Sequence, residues 1–369
     1  RRQRQMCIRD SGGTGGHIYP AVAVADAVLK NGDTVYYVGN PENLEIDIVK
    51  NKDYEFLPVH VHGMPRKIGF SFIKWAFQLG VSVVKSVGYL NKYKPDAVFG
   101  TGGYVSAPIL IACIIKKVPY MMHDCDAQPG LVTRKLAPYA SAVSLAFECA
   151  KDFINNKNYF VNGNPIRENF RTLVKSEARK SLGLNNRLTV CIMGGSQGAR
   201  TINDSAVEII KTLTNKYDVQ VIFQTGKKNF ERVIEQLMKI YPEYEADKSL
   251  IIKPYFDDMV TVLKASDIAV SRAGSLSLSE IEASGIASLL IPYPHAAADH
   301  QRKNAQYMVE QGASLYLEDH DVNEKTLLEN LTLLITDREK LARLQGCAMK
   351  LAKYDGVDKI AAQLQSVAK

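Results

Sequence analysis

Three glycine-rich turns divide between the two halves of this chain, and they limit its fold more than any other feature. Gly12-Gly13-Thr14-Gly15-Gly16-His17 and Gly100-Thr101-Gly102-Gly103-Tyr104 lie in the first half, and Gly194-Gly195-Ser196-Gln197-Gly198-Ala199 in the second. Such turns bring bare backbone N–H groups close to an oxyanion, commonly at a helix N-terminus where the dipole favours negative charge. Two similar α/β lobes with a phosphorylated ligand held between them are the expectation. A length of 369 residues agrees, because one ordinary core rarely grows so large.

Short apolar runs alternate with helical patterns along the whole chain. Thr34–Val38, Ala97–Phe99, Tyr120–His123, Ala142–Leu145, Leu188–Met193, Gln220–Gln224, Leu250–Lys253, Ile268–Ser271 and Ser288–Pro292 read as strands. Amphipathic segments such as Pro20–Lys30, Ala199–Lys216 and Leu276–Ser284 fall between them. This alternation predicts the α/β class: two Rossmann-like domains with parallel sheets, ligands binding outside the carboxyl ends of the strands. Asn162-Gly163-Asn164-Pro165 is turn chemistry, so residues 1–164 are assigned to one domain and 165–345 to a second. Residues 346–369 are expected as a C-terminal helix packing back on the first domain. The beginning is at odds with this scheme. A strand should precede Gly12, yet Arg9 and Asp10 stand where a central strand wants Val or Ile. The expectation is that the native first strand is missing and foreign residues occupy its place.

Of the net charge of +7, the start contributes +3, where four arginines face one aspartate, and the remaining +4 is too mild to indicate nucleic acid. Local charge is more informative. Between His60 and Pro95 there are six Lys/Arg and no acid, interleaved with Phe70, Phe72, Ile73, Trp75, Phe77, Val81, Val83 and Val84. Ser71, Lys74, Gln78, Ser82 and Lys85 interrupt the run, which makes it a poor transmembrane span. Two readings stay open: a basic apolar helix on an anionic membrane surface, centred on Pro65–Trp75, or a core helix with lysines at its rim. The six cysteines form no CxxC pair and most sit in apolar runs, as buried thiols in a reducing compartment do. No apolar leader segment is visible at the N-terminus.

The turns do not fit the common nucleotide fingerprints. Gly13-x-Gly15 is followed by Ile18, and the second strand ends Val38-Gly39-Asn40 without an acid for a ribose, so a nicotinamide cofactor is not expected. No GxxxxGK[ST] loop exists. His17, at the mouth of a backbone anion site, is the candidate general base, although a lone His is more often structural. Ser275, Leu276, Ser277, Leu278, Ser279 and Glu280 open a helix whose amides and hydroxyls suit a diphosphate, with Glu280 able to accept both hydroxyls of a ribose; the plainer reading is a cap and a dipole partner. Ser196 could donate to phosphate, and Arg167 could reach a ligand. Asp124-Cys125-Asp126 resembles a D-x-D pair, but its place at a strand end suits sugar hydroxyls as well, and no metal is expected.

Taken together these residues resemble a known family. Gly-Gly-Thr-Gly-Gly-His-Ile-Tyr-Pro-Ala, Gly102-Gly103-Tyr104-Val105-Ser106-Ala107-Pro108, Gly163-Asn164-Pro165-Ile166-Arg167, Gly194–Arg200, Ser271–Glu280 and His300-Gln301 resemble, in order, the signatures of the MurG family of glycosyltransferase family 28. The resemblance implies the GT-B fold. It also implies inverting transfer of GlcNAc from UDP-GlcNAc to the 4-hydroxyl of MurNAc in an undecaprenyl-linked lipid acceptor, peripherally at the cytoplasmic membrane face and with no cofactor. Other cell-wall synthesis proteins are implied partners. By position, Thr14, Gly15 and Gly16 would contact the donor side, with His17 as base. Arg167 and Ser196 would hold diphosphate or sugar, Phe256 would pack at the uracil, Ser275 to Glu280 would bind diphosphate and ribose, and Gln301 the sugar. Gly102, Gly103 and Tyr104 would face the acceptor. Asp126 stands where the family commonly has the sugar-binding Asn, in a His123-Asp124-Cys125-Asp126 run where His-Glu-Gln-Asn is usual. Alternatives are another GT-B enzyme, a lipid glucosyltransferase or a UDP-GlcNAc 2-epimerase, or a non-catalytic nucleotide-sugar sensor.

Overall fold

The computed structural model describes residues 4–9, 15–42, 49–50, 52–65 and 69–368. They form two compact units, one of residues 1–166 with 355–369 and one of residues 167–354. The division falls at 354/355 and not at 345/346, because the helix Arg338–Leu351 runs unbroken through the position expected as a boundary.

The first unit holds a seven-stranded sheet in the order β3-β2-β1-β4-β5-β6-β7. Its strands are β1 (Gln5–Arg9), β2 (Thr34–Gly39), β3 (Glu55–Pro58), β4 (Ala97–Gly100), β5 (Tyr120–Asp124), β6 (Ala142–Leu145) and β7 (Tyr159–Val161), each paired in parallel with its neighbours. The first strand is therefore present, contrary to the expectation from Arg9 and Asp10. Met6, Cys7 and Ile8 are enough apolar surface for a central strand because β2 and β4 complete its ladder on both sides. Met6 and Ile8 point to one face of the sheet and Cys7 to the other, as the pleat requires. The first face is covered by the helix Gly15–Lys30 and by the C-terminal helix Gly356–Val367, which supplies Ile360, Ala361 and Leu364 to that core. Gly356 has to be glycine, since a Cβ there would lie 2.8 Å from the Asn162 carbonyl oxygen.

The second unit holds a six-stranded parallel sheet in the order β10-β9-β8-β11-β12-β13. These are β8 (Thr189–Met193), β9 (Gln220–Gln224), β10 (Leu250–Lys253), β11 (Ile268–Ser271), β12 (Ala287–Leu290) and β13 (Ser314–Tyr316). In each unit the strand order reverses at one place, between β1 and β4 and between β8 and β11. A crevice opens outside the carboxyl ends of strands at such a reversal. The second and third glycine turns follow β4 and β8, and Arg272-Ala273-Gly274 follows β11, while residues 12–14 of the first lie outside the described residues.

Candidate active site

In the second unit the turn after β8 is shaped by sterics. A Cβ on Gly194 would fall 2.2 Å from the Ala199 amide nitrogen, and one on Gly198 (φ +75°) would fall 2.0 Å from the Thr225 carbonyl oxygen. Side chains brace the turn from behind. Asn229 Nδ2 donates to the Gln197 carbonyl at 3.0 Å, and Gln224 Nε2 donates to that of Gly195 at 3.3 Å. Gln224 Oε1 in turn accepts from the Phe256 amide at 2.9 Å. Ser196 and Gln197 are left exposed at the tip.

The turn after β11 leads into the helix Ser275–Ser284, capped by Gly274 with no side-chain hydrogen bond. The amides of Leu276 and Ser277 have no acceptor inside that helix, which makes its first turn a donor surface for an anion. Ser275 and Ser279 are buried to below a tenth exposure, and Leu276 and Ser277 are half-buried. Leu278 differs from the residues beside it. Its side chain is in the core and its amide donates to the Gly274 carbonyl at 3.0 Å, so it offers a ligand neither. Phe256 is 6% exposed, with its ring packed under Lys253 and its amide given to Gln224.

Glu280 and Arg167, expected as separate ligand contacts, meet each other. Arg167 Nη2 donates to Glu280 Oε1 at 2.9 Å. Burial raises the Glu280 carboxyl above its usual range, and the guanidinium opposes that rise. Gln301 lies in the first turn of the helix His300–Glu310, where its Oε1 accepts from the Tyr293 amide at 3.0 Å. That bond fixes the amide orientation, so its NH2 is the end available as a donor.

In the first unit the turn after β4 packs against the end of β5. Gly102 has φ +77°, and a Cβ there would lie 2.5 Å from Thr133 Oγ1 and 3.0 Å from Asp124 Oδ2. Gly103 precedes the single turn Tyr104–Ser106, closed by Ser106 Oγ donating to the Gly103 carbonyl at 2.7 Å. Tyr104 is half-buried. Asp124 is buried, and its two oxygens accept from the amides of Asp126 (3.2 Å) and Gly130 (3.1 Å). Burial first, then the Asp126 charge, pushes its pKa up to about 7. Asp124, Cys125 and Asp126 bring their ligand atoms within 4.8 Å of one another, but Asp124 already closes the loop that carries Asp126.

Behind this loop runs a chain of buried polar side chains that sequence reading left unnoticed. His123 Nε2 meets Asn164 Oδ1 at 3.1 Å and Nδ1 meets Ser144 Oγ at 3.0 Å. Asn162 Nδ2 donates to Ser144 Oγ at 3.0 Å and to Gln363 Oε1 at 2.7 Å. Gly15 and Gly16 open the first helix. Thr14, and the side chain of His17, lie outside the described residues.

The helix Phe70–Tyr93 buries only Ser82, Ser86 and Leu90. Phe70, Ile73, Phe77, Val81 and Val84 recur at helical spacing on its outer face and are between 54% and 84% exposed. The stripe reaches well beyond Pro65–Trp75, and a core helix with lysines at its rim does not describe it. Among the described residues, no helix is long and apolar enough to cross a membrane.

Two family models match the chain: the glycosyltransferase family 28 N-terminal domain over residues 11–145 and the C-terminal domain over residues 189–360. A UDP-N-acetylglucosamine–N-acetylmuramyl-(pentapeptide) pyrophosphoryl-undecaprenol N-acetylglucosamine transferase of Caldanaerobacter subterraneus subsp. tengcongensis is 37% identical over 95% of this chain and 96% of its own length. The chain belongs to the MurG family. MurG of Acinetobacter baumannii superposes with a TM-score of 0.80 at 23% identity, covering 98% of this chain and 99% of that one. A putative UDP-N-acetylglucosamine 2-epimerase from Listeria monocytogenes gives 0.70 at 15% identity, covering 99% and 96%. At such identities these likenesses speak for the fold, which is GT-B, and not for MurG-family chemistry over its neighbours.

Proposed function

We propose that this chain transfers N-acetylglucosamine from UDP-N-acetylglucosamine to the 4-hydroxyl of MurNAc in undecaprenyl-diphospho-MurNAc-pentapeptide, with inversion at the anomeric carbon. The observation that carries this reading is the end-to-end likeness to relatives named for that transfer, at an identity that the epimerase-like folds do not approach. The local chemistry supports it. UDP leaves as an anion, and the opening turn of the helix Ser275–Ser284 offers amides where that charge collects. Glu280 accepts from the ribose hydroxyls, with Arg167 and Ser196 toward the diphosphate. Gln301 donates through its NH2 to a sugar oxygen. Asp126 accepts from a hydroxyl of the donor sugar, the turn Gly102–Tyr104 stands on the acceptor side, and His17 takes the proton from the attacking hydroxyl. No metal is part of this scheme, so turnover should persist in excess chelator.

The lipid-linked acceptor is met at a membrane surface by the stripe Phe70 to Val84, with Lys74 and Lys85 beside it attracting anionic headgroups. The protein is peripheral on this reading. The test is transfer of labelled GlcNAc to the lipid acceptor by the purified chain. Product with inverted configuration is expected, and His17→Ala should lower kcat by about a hundredfold or more while UDP binding persists. Absence of transfer alongside normal UDP-GlcNAc binding would leave a sensor in place of an enzyme.

A further inference from the structure

Arg272 was given no role by the motif it belongs to, and the donor residues do not include Asp319. The structure joins them. Arg272 Nη1 donates to Asp319 Oδ1 at 2.5 Å, and the two side chains are 12% and 17% exposed. The same nitrogen lies 3.2 Å from the carbonyl oxygen of Ile291 and 3.1 Å from that of Pro292. Asp319 Oδ2 accepts from the Thr201 hydroxyl at 3.2 Å.

These bonds converge from four strand ends. Arg272 belongs to the turn after β11, which leads directly into Ser275. Ile291 and Pro292 follow β12, immediately before Tyr293, whose amide holds Gln301. Thr201 is in the first turn of the helix Arg200–Asn215, next to the glycine turn after β8. Asp319 follows β13. The guanidinium also lies 5.7 Å from the Tyr293 ring centre, which covers it.

We infer that Arg272 and Asp319 are positioning residues for the donor: one buried ion pair that sets the ribose and diphosphate turn, the sugar-facing Gln301 and the glycine turn in register with one another. The inference rests on the donor reading above. Arg272 Nη1 is committed to the Asp319 carboxylate beside the carbonyl oxygens of Ile291 and Pro292, so this end of the side chain acts on the donor through the loops. A carboxylate and a planar guanidinium suit this task, because a guanidinium can meet several acceptors at fixed angles.

Titration calorimetry of the whole chain with uridine, UDP and UDP-GlcNAc tests it. Arg272→Met is expected to weaken uridine and UDP alike by about tenfold or more, since small misplacements of a site have effects of that size or larger. Asp319→Asn should act in the same direction. Gln301→Ala should weaken UDP-GlcNAc more than UDP. Uridine affinity untouched in Arg272→Met would mean that the arginine grips phosphate directly, and tighter UDP binding in Asp319→Asn would mean the same; either result overturns the inference. Should Arg272→Met fail to fold, Thr201→Val removes only the tie to the glycine turn. It is expected to weaken UDP about threefold, as the loss of one modest hydrogen bond does; unchanged binding overturns the inference. Wild-type protein that binds none of the three ligands overturns the donor reading and the inference with it. Wild-type binding beside unmoved variants overturns the inference alone.

Discussion

The helices Arg200–Asn215 and Phe70–Tyr93 are both amphipathic, and they turn opposite faces to water. The first buries Ile202, Ala206, Val207, Ile209, Ile210 and Leu213 against its sheet. The second buries two serines and a leucine and leaves two phenylalanines, an isoleucine and two valines exposed. Ser82 explains how the inversion is tolerated. Its hydroxyl donates to the His60 carbonyl at 2.7 Å, so the middle of the inward face is held by a hydrogen bond, while Val87, Tyr89 and Leu90 pack on the core toward the end of the helix. Apolar periodicity therefore reports a helix with a preferred partner, and it does not say whether the partner is this chain.

The largest effect should come from spoiling the inward helix. Ile209→Asp places an unpaired carboxylate in a closed core and is expected to destabilise the second unit by about 4 kcal/mol or more, seen as an early transition in urea. The same chemistry on the outward helix should leave folding alone. Phe70→Asp with Phe77→Asp is expected to keep the urea midpoint and UDP affinity. Its binding to anionic vesicles should fall by more than tenfold, because each lost side chain contributes roughly 1.5–3 kcal/mol when buried in an apolar phase. Unchanged vesicle binding would break the comparison.

Acidity separates the two units more finely. Asp124 in the first and Glu282 in the second are both buried acids, with burial raising their pKa to about 7 and about 8. A raised folded-state pKa means that the native form holds more protons than the unfolded one, so stability falls as pH rises from about 4 and the loss is complete above the folded value. Between pH 5 and 7 both units should lose stability. Between pH 7.5 and 8.5 the loss should continue in the second unit, where Glu282→Gln abolishes it. The smallest effect belongs to Lys74→Gln with Lys85→Gln, expected to weaken vesicle binding by about 1 kcal/mol per lysine at low salt and by less at high salt.

What could be read beforehand follows from where each signal resides. The glycine turns are legible because they answer a steric demand made within a few residues, as Gly194 does with Ala199. Central strands are legible as apolar runs. The strands missed include β3, β7 and β13, all short sheet edges with half-exposed residues that dilute the pattern. β1 was misread for another reason. Arg9 reads as an interior position, whereas the strand ends at Arg9 and needs only Met6, Cys7 and Ile8 as apolar surface. Pairings across the sequence were out of reach: Arg167 with Glu280 spans 113 positions and Arg272 with Asp319 spans 47, and neither partner announces the other. The direction faced by Phe70 to Val84 was open for the same reason, since it depends on what the rest of the chain fails to cover.

The helix Gly356–Val367 has a consequence for the order of assembly. It caps the core of the first unit, yet it is synthesised after every residue of the second. On the ribosome the leading unit must wait, with Ile18, Val22 and their neighbours incompletely covered, while the trailing unit already has all its parts. Clipping the final turns of the chain would thus injure the half that was made earliest.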